Sequence, residues 1–508
     1  MSLTARYPVS GDTTSPVVTA SIARNVRLQY TRAIAAFAVL FFHASVIVER
    51  STGSNSFLEV FSGQWGAYGV SVFFALSGYL MGELIQRDDP ARFLIARIAR
   101  IYPPMLLVVA LFWAAFFAAG HTRGIDFLSL TLAPVGARDY FLAVEWSLIY
   151  EMSYYVALAA LSFLGLRRQA VWFATAWLAV VTLAIWTNGV GRNDSLPIAS
   201  ELPLQAINLP FILGFILADL ARRRLLPARP ILIAIPPILA AGYILPGELG
   251  LKIILLGVMT VTAAICLPKT APESVLGRIG ERLGDASYML YLCHMPLMWL
   301  LMIVLLPGMP ALAVWLGGIT ASVALSLVLA QLDLGIHRWS RRMIARASDR
   351  RARLAAIGFI AAFCGVAVVS EFVAREKRAA MQQAHRIVLT AKPSVSPSLR
   401  AEIDAVERMT DGTSIVRGYV VDLEKPTLGA HVAAIQNGQV LILDPVKRRR
   451  PALARSWARP DLERQQIGFV LMLPKSINCS AGRIEFRAAL SDGRTVVPDI
   501  GPNIDICR

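Results

Sequence analysis

Charged residues are scarce in this chain. Only 17% of its 508 residues are Asp, Glu, Lys or Arg, whereas 56% are hydrophobic. Soluble domains carry about a quarter charged residues, so the composition excludes an ordinary soluble protein and indicates a polytopic membrane protein. The net charge of +16 could suggest nucleic acid as a partner. In a membrane protein such an excess is typical of arginines that hold loops on the cytoplasmic side, so we expect no nucleic-acid partner.

Several chemical signatures are also missing. The five cysteines form neither a CxxC pair nor a Cys/His cluster with metal-ligand spacing, so we expect no metal site. The first 26 residues lack an apolar core followed by a small-residue cleavage site, so no cleaved signal peptide is expected. No GxSxG sequence surrounds Ser77, which argues against a serine nucleophile there.

Apolar segments of membrane-spanning length recur from residue 27 to residue 374. The predicted spans are 27–48, 66–86, 101–119, 147–165, 171–187, 204–221, 230–246, 250–267, 287–306, 311–333 and 354–374. Arginines crowd every second connection, above all between Arg338 and Arg353. By the positive-inside rule, the N-terminal tail and the arginine-rich loops are cytoplasmic, and the chain after about residue 375 lies outside. The crowded 230–267 region leaves the count of eleven open.

The C-terminal part differs in composition. After a polar, linker-like stretch at 376–398, alternating segments predict strands at 414–421, 431–435, 439–443, 467–473 and 483–490. Turn signals at Asn437-Gly438 and Asp492-Gly493 separate some of them. About a hundred residues of this kind predict a small β-sandwich. Cys479 and Cys507 both fall in this external domain and could form a disulfide; two unpaired thiols are the alternative.

The predicted fold is therefore a polytopic α-helical membrane protein of about ten core helices, an eleventh linking helix, and a small extracytoplasmic all-β domain. The corresponding ranges are 1–26 for a cytoplasmic tail, 27–345 for the membrane domain, 346–375 for the linking helix, 376–398 for the linker and 399–508 for the β-domain.

Two polar residues interrupt the first predicted span, Arg32 and His43. They are eleven positions apart, so on a helix they share one stripe and are separated by about 16 Å along the axis. An arginine at mid-span costs at least about 2.5 kcal/mol in hydrocarbon, so this stripe should face protein or a wet cavity. Alternatively, Arg32 reaches the headgroups and His43 bonds a neighbouring helix.

The fourth predicted span opens with Glu145-Trp146-Ser147 and places Glu151 at about the depth of His43. A carboxylate and an imidazole at one level could form a general-base pair in which Glu151 orients the His43 ring. Glu151 could instead pair with another helix or cap a helical turn.

Further polar residues lie near the ends of other spans. Arg97 and Arg100 can face an anion at the cytoplasmic mouth; alternatively, they only enforce topology and contact anionic membrane lipid. In the ninth span Tyr288, Tyr291 and His294 share a side, and an intramembrane histidine indicates a functional site unless it only satisfies packing.

In the second predicted span, Ser77 and Gly78 are small enough to let a helix or a ligand approach closely. Helix packing is the simpler use of this pair.

Together these motifs resemble acyltransferase family 3, bacterial integral-membrane O-acyltransferases that modify polysaccharides and lipids. The matching motifs are Arg32-x10-His43, Phe73-Phe-x-x-Ser-Gly-Tyr79, Arg97-x-x-Arg-Ile-Tyr-Pro103, Trp146-Ser-Leu-x-x-Glu151 and Ser287-Tyr-x-x-Tyr-Leu-x-His294. The resemblance covers about residues 26–345. Where the family often has Glu-Pro near the inner end of the tenth helix, this chain has Asp333 with no proline after it.

The resemblance implies a cytoplasmic acyl-CoA donor, commonly acetyl-CoA, and an acceptor hydroxyl on a glycan or glycolipid beyond the membrane. No permanently bound cofactor is implied. It points to Arg32 and His43 as essential. On this basis we expect His43, Glu151 and Arg32 to be catalytic. Arg97, Arg100, Tyr288, Tyr291 and His294 would bind the donor, and Ser77, Gly78 and Trp146 would line the substrate path.

The C-terminal segment from Trp457 to Pro474 resembles a β-sandwich module appended to bacterial glycan-modifying enzymes. Such a module could bind or position the acceptor, or be purely structural. The expected location is the bacterial inner membrane. A transporter or flippase for a glycan precursor is the alternative function, although no repeat of two similar halves is visible.

Overall fold

The computed structural model describes residues 26–188, 196–226, 249–266, 275–394, 396–408, 414–473 and 484–500. Eleven α-helices precede the β-domain in these ranges. They are α1 Val26–Thr52, α2 Ser56–Val60, α3 Gly63–Leu84, α4 Pro90–Ala118, α5 Glu145–Phe163, α6 Ala170–Asn188, α7 Leu209–Arg222, α8 Leu249–Cys266, α9 Val275–Met298, α10 Ala311–Arg346 and α11 Asp349–Thr390. A π-helix at Trp299–Leu305 continues α9.

Seven helical segments of the described chain are long and apolar enough to cross a membrane. They are Val26–Thr52, Gly63–Leu84, Pro90–Ala118, Arg167–Thr187, Gly277–Leu305, Ala311–Arg346 and Asp349–Thr390, and Gly250–Cys266 is a shorter apolar helix. The chain is thus a multi-pass membrane protein. The span predicted at 230–246 falls outside the described residues.

Hydrogen bonds between helix ends define an arginine-rich end of the bundle. Arg92 on α4 donates to the carbonyl oxygens of Ile344 and Ala347, and its Nη2 lies 3.0 Å from the Asp349 carboxylate. Arg27 on α1 donates to the carbonyl oxygen of Ile265 at the end of α8. The opposite end carries the 119–144 connection, and α11 leads from there to the β-domain. We call it the β-domain end.

Helix α4 begins earlier than predicted. The segment around Arg97 and Arg100 was expected to be a loop before a span at 101–119, but it is helical from Pro90 onward. The Asp89 side chain caps this helix by accepting from the backbone N–H groups of Ala91 and Arg92, and Pro90 suits the first helical position. As a result, both arginines project from a helix of the bundle.

Helix α11 also extends further than predicted, because 376–390 is helix rather than linker. Helix-forming residues fill this stretch, and its buried Ala384 and Val388 pack against Ala433 and Ile435 of the β-domain. The tertiary contact stabilises helix where the polar composition indicated a flexible connection.

The β-domain consists of two sheets with strand orders β5-β6-β2-β1-β9 and β4-β3-β7-β8. The strands are β1 Leu399–Arg408, β2 Ser414–Asp422, β3 Ala430–Gln436, β4 Gln439–Pro445, β5 Arg448–Arg449, β6 Gln466–Leu473, β7 Ile484–Leu490, β8 Thr495–Val496 and β9 Asp499–Ile500. A short helix, α12, covers Pro451–Ser456. The two sheets enclose a core that includes Ile403, Val432, Phe469 and Phe486. Cys479 and Cys507 lie outside the described residues, so their pairing stays a prediction.

Glycines bring α3 and α7 into close contact. A Cβ atom added at Gly78 would collide with the backbone carbonyl of Phe211, and one added at Gly214 would collide with that of Ala75. The two backbones therefore approach more closely than any larger residue permits.

We predict that Gly78→Ala lowers stability by about 1–3 kcal/mol, because the added methyl group forces two packed backbones apart. Gly335→Ala is the matched control, since a Cβ at Gly335 on α10 meets no atom within 4 Å. The control should be neutral or slightly stabilising, because alanine favours helix over glycine. Thermal unfolding midpoints of the detergent-solubilised proteins measure both effects. Equal midpoints for the two variants would contradict the packing interpretation.

Candidate active site

Two histidines from different helices form a hydrogen-bonded pair. Nδ1 of His43 on α1 lies 2.8 Å from Nε2 of His294 on α9. Nδ1 of His294 lies 2.9 Å from the backbone carbonyl oxygen of Leu290, one turn earlier on the same helix. His294 is buried, whereas His43 is half-buried. The pair therefore has one inner, fully enclosed ring and one ring with access to its surroundings.

These contacts determine where the protons lie in the neutral rings. A carbonyl oxygen only accepts hydrogen bonds, so Nδ1 of His294 carries the proton and its Nε2 is an acceptor. Nδ1 of His43 must then donate to that Nε2. The remaining nitrogen of His43, Nε2, keeps a free lone pair, which is the atom a general base needs. His294 thus orients His43 and selects its tautomer.

The predicted pairing of His43 with Glu151 is not formed. Glu151 accepts hydrogen bonds from Tyr155 on the next turn of α5 and from Ser77 on α3, the latter at 3.4 Å. The depth estimate failed because α5 already begins inside the protein, with Glu145 only 1% exposed. Glu151, nearly two turns later, lines a cavity that Arg32 also faces and that His43 does not line. His294 takes the orienting position that the sequence had assigned to Glu151.

A cavity occupies the bundle between the arginine-rich end and the histidine pair. Its lining comes from α1, α3, α4, α5 and α9. The polar side chains in this lining include those of Arg32, Arg97, Arg100, Glu151, Tyr288 and Tyr291. Arg32 thus faces an internal cavity rather than lipid, as the Arg32/His43 stripe predicts.

Three guanidinium groups face this cavity, and two of them lack a full set of partners. Nη1 of Arg100 lies 2.6 Å from the buried carboxylate of Asp333, and its guanidinium stacks over the Tyr288 ring at 4.7 Å. The Nε atom of Arg97 is buried and has no hydrogen-bond partner. Within the described chain, Arg32 makes no hydrogen bond or ion pair, although Glu151 contributes an attractive charge. An anion in this cavity would satisfy these donors.

The cavity ends below the histidine pair. Tyr291 lines its upper part, where its hydroxyl group lies 2.6 Å from Ser147 Oγ and donates to the carbonyl oxygen of Val144. The Tyr291 ring contacts both Phe73 and His294, with ring centroids 5.7 and 6.2 Å apart, respectively. Tyr291 and Phe73 therefore separate the cavity from the histidines in this conformation.

The other predicted site residues are distributed between the cavity and the two ends of the bundle. Ser77 lines the cavity, and Gly78 faces α7. Tyr288 donates to the carbonyl oxygen of Ile101 on α4. Trp146 lies outside this cavity and lines a separate pocket at the β-domain end. In the described ranges, no three His, Cys, Asp or Glu residues are grouped so that they could hold a metal ion.

Sequence reasoning missed three residues of the site. Tyr155 could have been found, because it stands four residues after Glu151 and so shares its helix face. Ser147 lies inside the motif that runs from Trp146 to Glu151, but nothing in the sequence indicates its contact with Tyr291. Asp333 had no assigned role; it holds Arg100 from a helix far away in the chain.

Comparison with known proteins identifies the family of the membrane domain. Residues 25–331 match a family of acyltransferase domains, acyltransferase family 3. The chain therefore belongs to this family. It is also similar to the exopolysaccharide production protein ExoZ of Rhizobium meliloti (strain 1021), with 26% identity over 259 residues that cover 45% of this chain and 75% of the relative. No solved structure gives a significant match.

We predict that His294→Leu lowers kcat for acyl transfer by about 100-fold, because His43 loses the acceptor that selects its tautomer. His294→Gln should recover part of this loss, since the amide oxygen of glutamine can accept from His43 Nδ1 in place of the imidazole Nε2. Single-turnover rates at saturating donor measure the effect. If Gln and Leu at position 294 were equally impaired with both proteins folded, His294 would have a packing role instead.

Proposed function

We propose that this protein is a membrane O-acyltransferase. It moves an acyl group, acetyl in the simplest case, from cytoplasmic acyl-CoA to a hydroxyl group of an extracytoplasmic glycan or glycolipid. One observation carries the proposal. A cavity lined by three arginines lies toward the arginine-rich end of the bundle, and the His43 imidazole, with a free Nε2 lone pair, lies beyond the cavity toward the β-domain end. The family match favours acyl transfer over the transport alternative. The name of the relative, which refers to exopolysaccharide production, supports a glycan acceptor.

The donor fits the charge pattern of the cavity. Phosphate groups of coenzyme A are natural partners for guanidinium groups, which bind them through paired hydrogen bonds. Arg97 and Arg100 project from the first part of α4, next to the arginine-rich end, and Arg32 faces the same cavity from α1. In this arrangement Arg97 and Arg100 hold the phosphates, Arg32 lines the path of the pantetheine arm, and Asp333 keeps Arg100 in place.

The reaction that this site supports is a direct transfer. Nε2 of His43 takes the proton from the acceptor hydroxyl as its oxygen attacks the thioester carbonyl. A C–O bond forms, the C–S bond breaks, and the coenzyme leaves as a thiolate that recovers the proton from His43. His294 stabilises the imidazolium that exists between these two proton transfers, because its Nε2 accepts from His43 Nδ1. The side chains of Tyr291 and Phe73 must move aside for the thioester to reach His43.

The arrangement across the membrane follows from the same proposal. The arginine-rich end faces the cytoplasm of a bacterial cell, where acyl-CoA is made, and the β-domain lies outside the inner membrane. The β-domain would then bind or position the acceptor next to the end of the bundle that carries the histidine pair.

We predict that cells producing His43→Ala at wild-type level lose the O-acyl groups that the wild-type protein adds to their surface glycan, because the base is missing. Release of acetate from the purified glycan by mild alkali, followed by mass spectrometry, measures this. His385→Ala is the matched control, since His385 is an exposed histidine on α11, outside the membrane domain. Unchanged acylation in the His43→Ala cells would refute the proposed enzyme.

The assignment of Arg97 and Arg100 predicts a specific change in donor preference. The wild-type protein should use acetyl-CoA far better than S-acetylpantetheine, which lacks the phosphates. Arg97→Ala and Arg100→Ala should each lower kcat/KM for acetyl-CoA by about 10–100-fold, as expected when a charge-assisted hydrogen bond to phosphate is lost. The same variants should change kcat/KM for S-acetylpantetheine much less.

Arg168→Ala is the matched control for this comparison, because Arg168 is an exposed arginine at the same end of the bundle but does not line the cavity. A parallel loss with both donors would show that the two cavity arginines act on folding or on the thioester, and not on the phosphates.

A further inference from the structure

Three neighbouring pockets form a groove at the β-domain end of the bundle. The near pocket is lined by Met295 and Pro296, which directly follow His294, and by Arg50 and Trp299. The middle pocket lies under the 119–144 connection and includes Trp146. The far pocket reaches α11.

The pockets are adjacent, because neighbouring ones share lining residues. Arg123, Phe141 and Ala143 line both the near and the middle pocket. Arg138 and Leu196 line both the middle and the far pocket. A ligand bound in the near pocket can therefore extend past these shared residues toward α11.

The size of the groove exceeds that of a single small ligand. The near, middle and far pockets have volumes of about 410, 660 and 470 Å³. Each volume falls within the range of about 300–1,000 Å³ that is usual for one small-molecule site. Three such sites in a row offer space for a chain of several units.

The side chains of the middle pocket combine aromatic surfaces with fixed polar groups. Trp146 and Tyr140 supply aromatic surface, and Arg123 is held over the Phe141 ring at 4.7 Å. Arg138 lies 3.6 Å from the Asp126 carboxylate, so both side chains are oriented. Apolar ring faces and oriented hydrogen-bonding groups suit sugar rings, which present C–H faces and hydroxyl edges.

The far pocket connects this surface with the helix that carries the β-domain. Val373 and Lys377 line it from α11, and Arg378 is held there by its ion pair with Glu201 at 2.6 Å. From this point α11 continues to Thr390 and contacts the β-domain through Ala384 and Val388. The groove thus leads from Met295 and Pro296, next to His294 in the chain, to the helix that contacts the β-domain.

We propose that this groove binds the acceptor as a glycan chain of several sugar units, with the acylated unit in the near pocket and the following units in the middle and far pockets. This inference rests on the proposed function, and it deepens it by naming a polymeric or oligomeric acceptor rather than a single sugar or a lipid headgroup. The far pocket acts as a specificity site that only a longer chain reaches.

Acceptor length tests this proposal directly. Surface polysaccharide from cells that lack the protein is saponified, partially hydrolysed, and separated into single repeating units and longer chains. Purified wild-type protein with radiolabelled acetyl-CoA should show a kcat/KM for the longer chains about tenfold or more above that for the single units, since binding at remote units adds contacts. The preference should level off once a chain fills the groove.

Two valines on α11 provide a matched pair of variants. Val373 lines the far pocket and is 39% exposed, whereas Val369, one turn earlier, is 64% exposed and does not line the groove. Val373→Trp should fill the far pocket and bring the ratio of kcat/KM between long and short acceptors close to one. Val369→Trp adds the same bulk outside the groove and should keep the wild-type ratio. Lys377→Ala, which removes a polar contact without adding bulk, should lower the ratio as well.

The outcomes separate the two proposals. Equal kcat/KM for all acceptor lengths in the wild-type protein, or the same ratio in the Val373→Trp and Val369→Trp variants, would overturn the extended groove and leave the acyl transfer intact. Absence of His43-dependent transfer to every fraction would overturn the proposed function itself, and the groove assignment with it.

Discussion

The free energy needed to keep guanidinium and imidazole groups inside an apolar helix bundle governs this structure. Each such group costs several kcal/mol unless it has a partner, so a partner on another helix favours the packing of those two helices. Arg100 on α4 requires Asp333 on α10, and His43 on α1 requires His294 on α9. These pairs hold α4 to α10 and α1 to α9, and the cavity with its excess of positive charge lies where α1, α4 and α9 meet.

Features of the fold that depend on neighbouring residues in the chain, such as tight turns and helix faces, can be predicted from the sequence. The Asn437-Gly438 pair predicts a two-residue hairpin, and both residues adopt positive φ angles between the paired Gln436 and Gln439. The same reasoning placed Arg32 on a stripe that faces protein rather than lipid. Sequence patterns gave wrong boundaries for two helices, because charged and polar stretches suggest loops. The Asp89 cap instead starts α4 early, and contact with the β-domain extends α11.

Partners within the site could not be predicted in the same way. Sequence spacing gives the depth of a residue relative to the start of its own helix, but not the depth at which that helix starts. Glu145 is already buried, so counting from it as if it lay at the surface placed Glu151 beside His43 instead of beside Ser77 and Tyr155. Likewise, the Arg100–Asp333 pair joins positions 233 residues apart, and no local pattern indicates which carboxylate meets which arginine.

The unbroken helix α11 fixes the distance between the arginine-rich end of the bundle and the β-domain. Its 42 residues correspond to about 63 Å of helix, roughly twice the thickness of the hydrocarbon core of a bilayer. A helix that crosses the membrane and then continues for several turns acts as a rigid spacer, since a helix bends far less than a loop of equal length. The β-sandwich that packs against its last turns is therefore held at a fixed distance from the membrane-spanning part of the helix.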